Sequence, residues 1–373
     1  MRVLVVNAGS SSLKLRLLDG GDAVLASRDL AARHGAVDEA ELGEALAALA
    51  AADAVGHRIV HGGTRFRAPV RLDAAVAAEL AELGDLAPLH QAASLAVVAS
   101  VGRTLPGVPA VACFDTAFHA TLPPAAATYA LPAAWRERWA LRRYGFHGLS
   151  HGYAARRAAE LLDRPIDSLR VVTCHLGAGA SLAAVREGVS VDTTMGFTPL
   201  EGLVMATRSG SVDPGLLLWL LEREELAERE LAEALERRSG LLALAGTADM
   251  AEVVARAEAG KEEARLAFDV YVHRLRAGIA AMCVAMGGMD ALVFTGGVGE
   301  HSPEVRAAAS SGLGLLGVEL DQARNEAPRG DEDIGAADAS VRTLVVTSRE
   351  DLEIARQVRG LLGERSAPTR VGS

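Results

Sequence analysis

Apolar runs and small-residue turns alternate along the chain. Residues 2–6 form a β-branched apolar run that reads as a buried strand. A Gly/Ser turn at 9–12 follows, and residues 13–18 alternate as a returning hairpin partner would. Apolar positions at helical spacing predict helices over 39–51, 74–83 and 92–103, with short strands at 54–60 and 108–114. A second start comes at 169, where VVTCHLGAGASLAAV repeats the order of VLVVNAGSSSLKLRL: strand, small-residue turn, strand. Two such hairpins half a chain apart predict two related domains facing each other. Residues 252–287 read as almost wholly helical, with a break at Gly260. A strand at 291–295 runs into the loop GGVGE, and Ser302-Pro303 opens the next helix. A last strand at 341–346 leads to a terminal helix over 350–362, and the tail after Gly363 is expected to fray. Strands and helices in this alternation predict an α/β fold.

Composition narrows the class. A length of 373 residues allows two to three domains. With 50% hydrophobic and 23% charged residues, the chain has a globular profile and not a disordered one. The charge balance, 38 − 48 = −10, argues against a nucleic-acid surface. It leaves room for anionic substrates held by a few buried cations. Lysine occurs only at 14 and 261, so arginine carries most of the positive charge. Cys113, Cys174 and Cys283 lie far apart among apolar residues with no CxxC spacing, which predicts neither disulfides nor zinc and fits a reduced, cytoplasmic interior. The apolar stretch before Asn7 is too short for a signal segment. The longest one, 279–294, is broken by Gly287, Gly288 and Asp290, so no membrane span is expected.

Three small-residue loops stand out. The turn from Asn7 to Ser12, followed by Lys14, offers the Ser10 and Ser12 hydroxyls, backbone N–H groups and a point charge to phosphate oxygens; an ordinary polar hairpin turn would look the same. His175 to Ser181 repeats these features, and its glycines allow close backbone approach to an anion. Gly296 to Glu300 ends a strand ahead of a helix, a usual place for a nucleotide. No Walker A loop is present. Arg58 ends an apolar strand, and Arg208 sits among small residues; both placements disfavour a merely solvated guanidinium. Asp115 ends another apolar strand, where it is either a working carboxylate or a cap on the next turn. His147 and His151 cluster in a glycine-rich aromatic loop, where one could be a core histidine. Glu350 opens the last helix, where the helix dipole favours an acid in any case.

Together the segments VLVVNAGSSSLKLRLL, GHRIVHGG, DLAPLH, FDTAFH, YGFHGLSHGY, TCHLGAGAS, MGFTPLEGLVMATRSGSVDP, VFTGGVGEHS and EDLEIAR, running in order from residue 3 to 356, resemble the acetate kinase family. This family belongs to the superfamily of acetate and sugar kinases, chaperone ATPases and actin. The resemblance implies an α/β protein of two ribonuclease-H-like (actin-like ATPase) domains with an interdomain active-site cleft. The first domain would comprise 1–115 plus about 350–373, and the second, nucleotide-binding domain about 116–349. It implies reversible Mg²⁺-dependent (or Mn²⁺-dependent) transfer of the ATP γ-phosphoryl group to acetate, giving acetyl phosphate and ADP, in a homodimer. By motif, Asn7 and Glu350 match metal-site residues, and Lys14, with Ser10 and Ser12, nucleotide-phosphate contacts. Arg58 matches the residue that holds the carboxylate or phosphoryl group. Asp115 matches the catalytic aspartate, and His147 and Arg208 the transition-state stabilisers. The nucleotide would lie against His175, Leu176, Gly177, Ala178 and Gly179, against Asp249, Met250 and Ala251, and against Gly297, Val298, Gly299, Glu300 and His301. Val60, Leu89 and Pro199 would line a methyl pocket.

The chain departs from the family pattern at several places. Ala178 replaces the asparagine of the H-L-G-N-G loop, Ala251 an arginine, Gln91-Ala92 an Asn-Pro pair, and Arg349 an asparagine. These changes bear on nucleotide affinity more than on reaction type. The alternatives are a propionate or butyrate kinase of the same family, or a non-catalytic nucleotide-binding protein on this fold. A sugar kinase fits less well, because a hydroxyl acceptor wants a base and no sugar-binding motif is visible.

Overall fold

The computed structural model describes residues 1–9, 12–32, 37–86, 91–223 and 226–363. The chain divides into two compact units. One comprises Met1–Ala120, Gly148–Ser150 and Arg349–Ser373; the other comprises Thr121–His147 and His151–Ser348.

In the first unit β1 (Val3–Ala8), β2 (Ser12–Leu18) and β3 (Val24–Ala31) form an antiparallel meander. β4 (Ala54–Ile59) joins β1 in parallel, β5 (Val70–Arg71) is a two-residue edge strand, and β6 (Ala110–Phe114) lies parallel to β4. The sheet order is β3-β2-β1-β4-β6-β5. The unbroken apolar run of β1 follows from burial on both faces. Leu4 and Val6 pack with Leu42 and Leu46 of the helix Glu39–Ala48 and with Val97 and Val101 of the helix Gln91–Thr104. Val3 and Val5 pack with Ile354, Ala355 and Val358 of the terminal helix Glu350–Gly363. That helix sits tightly on β4 because residue 56 is glycine. A Cβ there would come within 2.4 Å of Ile354 Cγ2 and 2.8 Å of Val358 Cγ2.

The second unit repeats the plan. β7 (Arg170–Leu176), β8 (Ala180–Arg186) and β9 (Val189–Thr193) form the meander. β10 (Ala291–Thr295) is parallel to β7, β11 (Glu332–Asp333) is the short antiparallel edge strand, and β12 (Arg342–Val345) is parallel to β10. The order β11-β12-β10-β7-β8-β9 is the same succession of strands as in the first unit. The hairpin repeat in the sequence therefore marks two six-stranded, ribonuclease-H-like sheets. None of the described helices is long and apolar enough to cross a membrane.

Three expectations change. The helix predicted over 39–51 stops at Ala48 with Leu49 as its C-cap, and Asp53, just ahead of β4, is held by its backbone N–H bond to the Arg2 carbonyl (2.9 Å) and its carboxylate bonds to Arg2. GGVGE is not a loop but the start of a short helix, Gly296–His301. Its glycine content argues against helix, yet both ends are satisfied by side chains. Glu300 Oε1 accepts from the Gly296 N–H (2.9 Å). At the other end the buried Arg306 donates to the carbonyls of Gly299 (2.9 Å) and Glu300 (2.8 Å). Likewise His151 lies not in a loop but in the helix Gly148–Leu161, entered through His147 in a left-handed conformation (φ 56°) and buried along Ala154, Ala155 and Ala158.

Candidate active site

In the first unit the carboxyl ends of three neighbouring parallel strands bring their polar residues to one edge, the usual ligand edge of an α/β sheet. Asn7 and Arg58 lie near the ends of β1 and β4, and Asp115 follows β6; Glu350 opens the terminal helix. Arg58 Nε donates to Asp115 Oδ1 (2.9 Å) and Nη2 to Oδ2 (2.6 Å), so the guanidinium grips both oxygens. Asp115 is therefore no helix cap. Arg58 Nη1 donates to Asn7 Oδ1 (3.3 Å), Asn7 Nδ2 donates to Glu350 Oε2 (2.7 Å), and Arg58 Nε lies 4.0 Å from the same Glu350 oxygen. The Asp115 side chain is 1% exposed and that of Arg58 15%. Burial pushes the Asp115 carboxyl up, the Arg58 clamp opposes that, and Glu350 pushes it up further. For Arg58, burial works against the charge, but Asp115 and Glu350 outweigh it, and the guanidinium is held more firmly cationic than usual. Flanking His57 and His61 are core residues, both pushed down to about 4 by burial and so neutral near pH 7.

The second unit gathers a different set. Gly177–Gly179 is the turn between β7 and β8, closed by Gly177 N–H to Gly179 carbonyl (2.9 Å). The Ala178 carbonyl accepts from Ala206 N–H (3.2 Å), which ties this turn to the segment bearing Arg208. His147 and Arg208 meet over Gly179. A Cβ there would lie 3.2 Å from His147 Cε1 and Nε2 and 3.4 Å from Arg208 Nη1, so only glycine leaves both in place. The His147 ring lies against His175, with centroids 4.3 Å apart. Arg208 donates from Nη1 to the Pro199 carbonyl (3.2 Å) and toward Met205 Sδ (3.8 Å). Among the described residues it has no carboxylate within 4 Å. Burial pulls its pKa below the ordinary guanidinium value, with Glu236 acting the other way. An arginine stays protonated under such a shift. The result is a half-buried positive charge with no carboxylate within 4 Å among the described residues, which an anion would neutralise.

The remaining candidates are placed as follows. Lys14 is exposed on β2 opposite Asn7, Ser12 is half-buried, and Ser10 lies outside the described residues. Asp249 N-caps the helix Met250–Glu258 through the Ala251 N–H (3.0 Å). Gly297, His301 and Ala178 are exposed and Val298 is half-buried, while Leu176, Met250 and Gly299 are buried. Glu300 spends one carboxylate oxygen on the N–H groups of Gly296 and Ser348, both at 2.9 Å. Val60 is buried in the first unit, Pro199 half-buried in the second, and Leu89 lies outside the described residues. Sequence reasoning missed Thr173 and the contacts of Ser181 and His151. It also missed Glu201, which accepts from Tyr129 Oη (2.5 Å) and Arg143 Nη2 (2.6 Å) and so braces the segment carrying Pro199. A signal existed: His147 and His151 are four apart, although His147 caps the helix and does not lie within it.

Comparison with known proteins supplies the context. A statistical model described as "Acetokinase family" matches residues 25–356. The acetate kinase of Synechococcus sp. (strain JA-2-3B'a(2-13)) is 45% identical over 402 aligned residues, covering 97% of this chain and 99% of that protein. Among solved structures, Porphyromonas gingivalis acetate kinase superposes with a TM-score of 0.89 at 36% identity, covering 97% of this chain and 99% of the other. A propionate kinase from Francisella tularensis gives a TM-score of 0.89 at 33% identity, covering 96% and 99%.

Proposed function

We propose, because the chain belongs to the acetokinase family, that it transfers the γ-phosphoryl group of ATP reversibly to acetate, giving acetyl phosphate and ADP. One observation carries the reading beyond the family: the half-buried Arg208, without a carboxylate partner among the described residues, and His147 both close on Gly179. Fixed positive charge and a hydrogen-bond donor are what a transferring phosphoryl group needs on its equatorial oxygens.

Acetate is ionised at neutral pH, so it needs no general base. Its oxygen bonds to phosphorus as the bond to the β-bridging oxygen breaks, and ADP leaves with the electron pair. The barrier lies in bringing two anions together. In this reading Arg58 holds the carboxylate or the incoming phosphoryl group, and Asp115, accepting from its Nε and Nη2, orients it without acting as a base. His147 and Arg208 stabilise the transferring group. Val60, Leu89 and Pro199 are assigned to the methyl group by their match to the family motif. Lys14, Ser10 and Ser12 and the stretches 175–179, 249–251 and 297–301 hold the nucleotide, with exposed Gly297 and half-buried Val298 opening a helix N-terminus toward phosphate. The acceptor side is assigned to 1–115 with 350–373 and the nucleotide side to 116–349.

Asn7 and Glu350 fit a magnesium ion, since they offer hard amide and carboxylate oxygens 2.7 Å from nitrogen to oxygen at one strand edge. Mg²⁺ binds through one or two carboxylates, waters and substrate phosphates, and Mn²⁺ takes the same donors. When bound it supplies charge neutralisation on the β- and γ-phosphates.

The same reading includes a homodimer in the cytoplasm. No residue of the helix Pro214–Arg223 is buried, and Val212, Leu216, Leu218 and Trp219 present an exposed apolar group that a second copy would cover. The three cysteines are buried free thiols, as a reducing compartment allows. A coupled assay of ADP formation with acetate, propionate and butyrate tests the assignment, with kcat/KM expected to fall in that order. A methylene is worth about 1–3 kcal/mol in such a pocket. A preference for butyrate, or no transfer to any of the three, refutes it.

A further inference from the structure

A line of hydrogen bonds runs from β7 to His147. Thr173 Oγ1 lies 2.7 Å from His151 Nδ1, His151 Nε2 lies 2.7 Å from Ser181 Oγ, and Ser181 Oγ lies 2.9 Å from His147 Nδ1. Thr173, His151 and Ser181 are wholly buried. Each hydroxyl has one proton and a neutral imidazole has one, so the line can be polarised in only two senses.

Thr173 decides between them. Its other acceptor, the Ala183 carbonyl, is 3.5 Å away, at the limit of a hydrogen bond, against 2.7 Å to His151. The threonine proton therefore goes to His151 Nδ1. Neutral His151 then carries its proton on Nε2 and donates it to Ser181, and Ser181 donates to His147 Nδ1. Neutral His147 is left with its proton on Nε2, the nitrogen that faces Gly179 and Arg208.

We propose that Thr173, His151 and Ser181 are positioning residues whose hydrogen-bond line holds His147 as the Nε2–H tautomer, so that neutral His147 still donates toward the transferring phosphoryl group. The positioning role rests on the function assigned above, whereas the tautomer itself does not. The groups facing His147 include His175 against its ring, His151 through Ser181, and Arg208, whose Nη1 closes on Gly179 together with His147 Nε2. Arg208 supplies the fixed charge and His147 the directional donor. Activity should then persist above the imidazole titration and not depend on an imidazolium.

Long-range ¹H–¹⁵N correlation spectra of the wild-type protein at alkaline pH, assigned with His147→Asn, read the tautomer directly. The Nε2–H pattern is expected, and the Nδ1–H pattern overturns the proposal whatever reaction the protein catalyses. In kinetics, Thr173→Val should lose about tenfold in kcat on the alkaline side between pH 7 and 9, with KM for ATP and acetate within twofold. Thr173→Ser, which keeps the hydroxyl, should follow the wild-type profile. An unchanged alkaline limb in Thr173→Val, or a Thr173→Ser variant as impaired as the valine, also overturns it. If the valine variant does not fold, the wild-type spectrum decides alone. A wild-type protein that transfers no phosphoryl group refutes the assigned function and leaves the tautomer result standing.

Discussion

Replacing Gly179 by alanine tests whether His147 and Arg208 work as a pair. The added methyl would sit 3.2 Å from His147 Cε1 and Nε2 and 3.4 Å from Arg208 Nη1. Optimal carbon contacts lie near 3.5–4.0 Å, so the imidazole must retreat by roughly 0.3–0.8 Å. It has little freedom to do so, since Nδ1 is tied to Ser181 at 2.9 Å and the ring rests on His175. A misplacement of about 1 Å can cost about 10²-fold in rate, so a kcat loss of about 10- to 100-fold is expected, or roughly 1.4–2.7 kcal/mol in the barrier. Stability should move the other way. Gly179 is not among the glycines at positive φ, and a compatible Gly→Ala change stabilises by about 0.4–1 kcal/mol through the unfolded chain. Coupled ADP-release kinetics at saturating ATP and acetate, together with a thermal melt, separate the two effects. A kcat within twofold of wild type would refute the reasoning. So would a rate loss matched by a large fall in Tm, because the crowding would then act on folding and not on the pair.

Arg208→Ala should lower kcat by about 10²–10³-fold, as loss of a transition-state donor does, while Tm moves little, since its hydrogen bonds are to the Pro199 carbonyl and Met205 sulfur. Arg208→Lys should recover only a small part, because the planar fork is lost; activity within a few-fold of wild type in the alanine variant refutes the assignment. Ala178→Asn places a side-chain donor on an exposed turn position. A hydrogen bond to charged phosphate contributes about 1.5–3 kcal/mol, so KM for ATP should fall while KM for acetate holds. An unchanged or higher ATP KM would show that the turn is built around alanine.

What could be read from the sequence follows physical lines. β1 was legible because burial on both faces demands an unbroken apolar run, and Arg58 and Asp115 because charged residues that end apolar strands are conspicuous. The edge strands Val70–Arg71 and Glu332–Asp333 are too short to show any period. β3 is mostly exposed and carries little apolar signal. The helix over 296–301 was hidden because Arg306 and Glu300, not propensity, satisfy its ends. Ser181 reads as the end of a phosphate-type loop, and Thr173 stands out in no way from its strand. Only pairing Thr173 with Ala183 and His175 with Ser181 across β7 and β8 sets both hydroxyls beside His151.

The duplicated sheet carries different groups at equivalent strand ends. β1, β4 and β6 of the first unit hold the same places as β7, β10 and β12 of the second. Their carboxyl ends, however, carry different groups. The first unit places Asn7, Arg58 and Asp115 there, charged or strongly polar side chains that lock one another through hydrogen bonds. At the same ends the second unit places His175, the Gly296-Gly297 helix start and Val346-Thr347; the N–H groups of Gly296, Val346 and Thr347 are already bonded to Glu300, the Phe294 carbonyl and Asp331, which leaves the His175 ring and the exposed Gly297. A carboxylate acceptor is small and must be aimed, which favours a rigid guanidinium clamped by an aspartate. A nucleotide presents several phosphate oxygens, which favours backbone donors at glycine turns and helix starts. The fold leaves those strand ends open to either solution. The assignment of acceptor and nucleotide sides therefore depends on what each copy carries at its edge, which is why substitutions at Arg58 and at Gly297 should separate acetate KM from ATP KM.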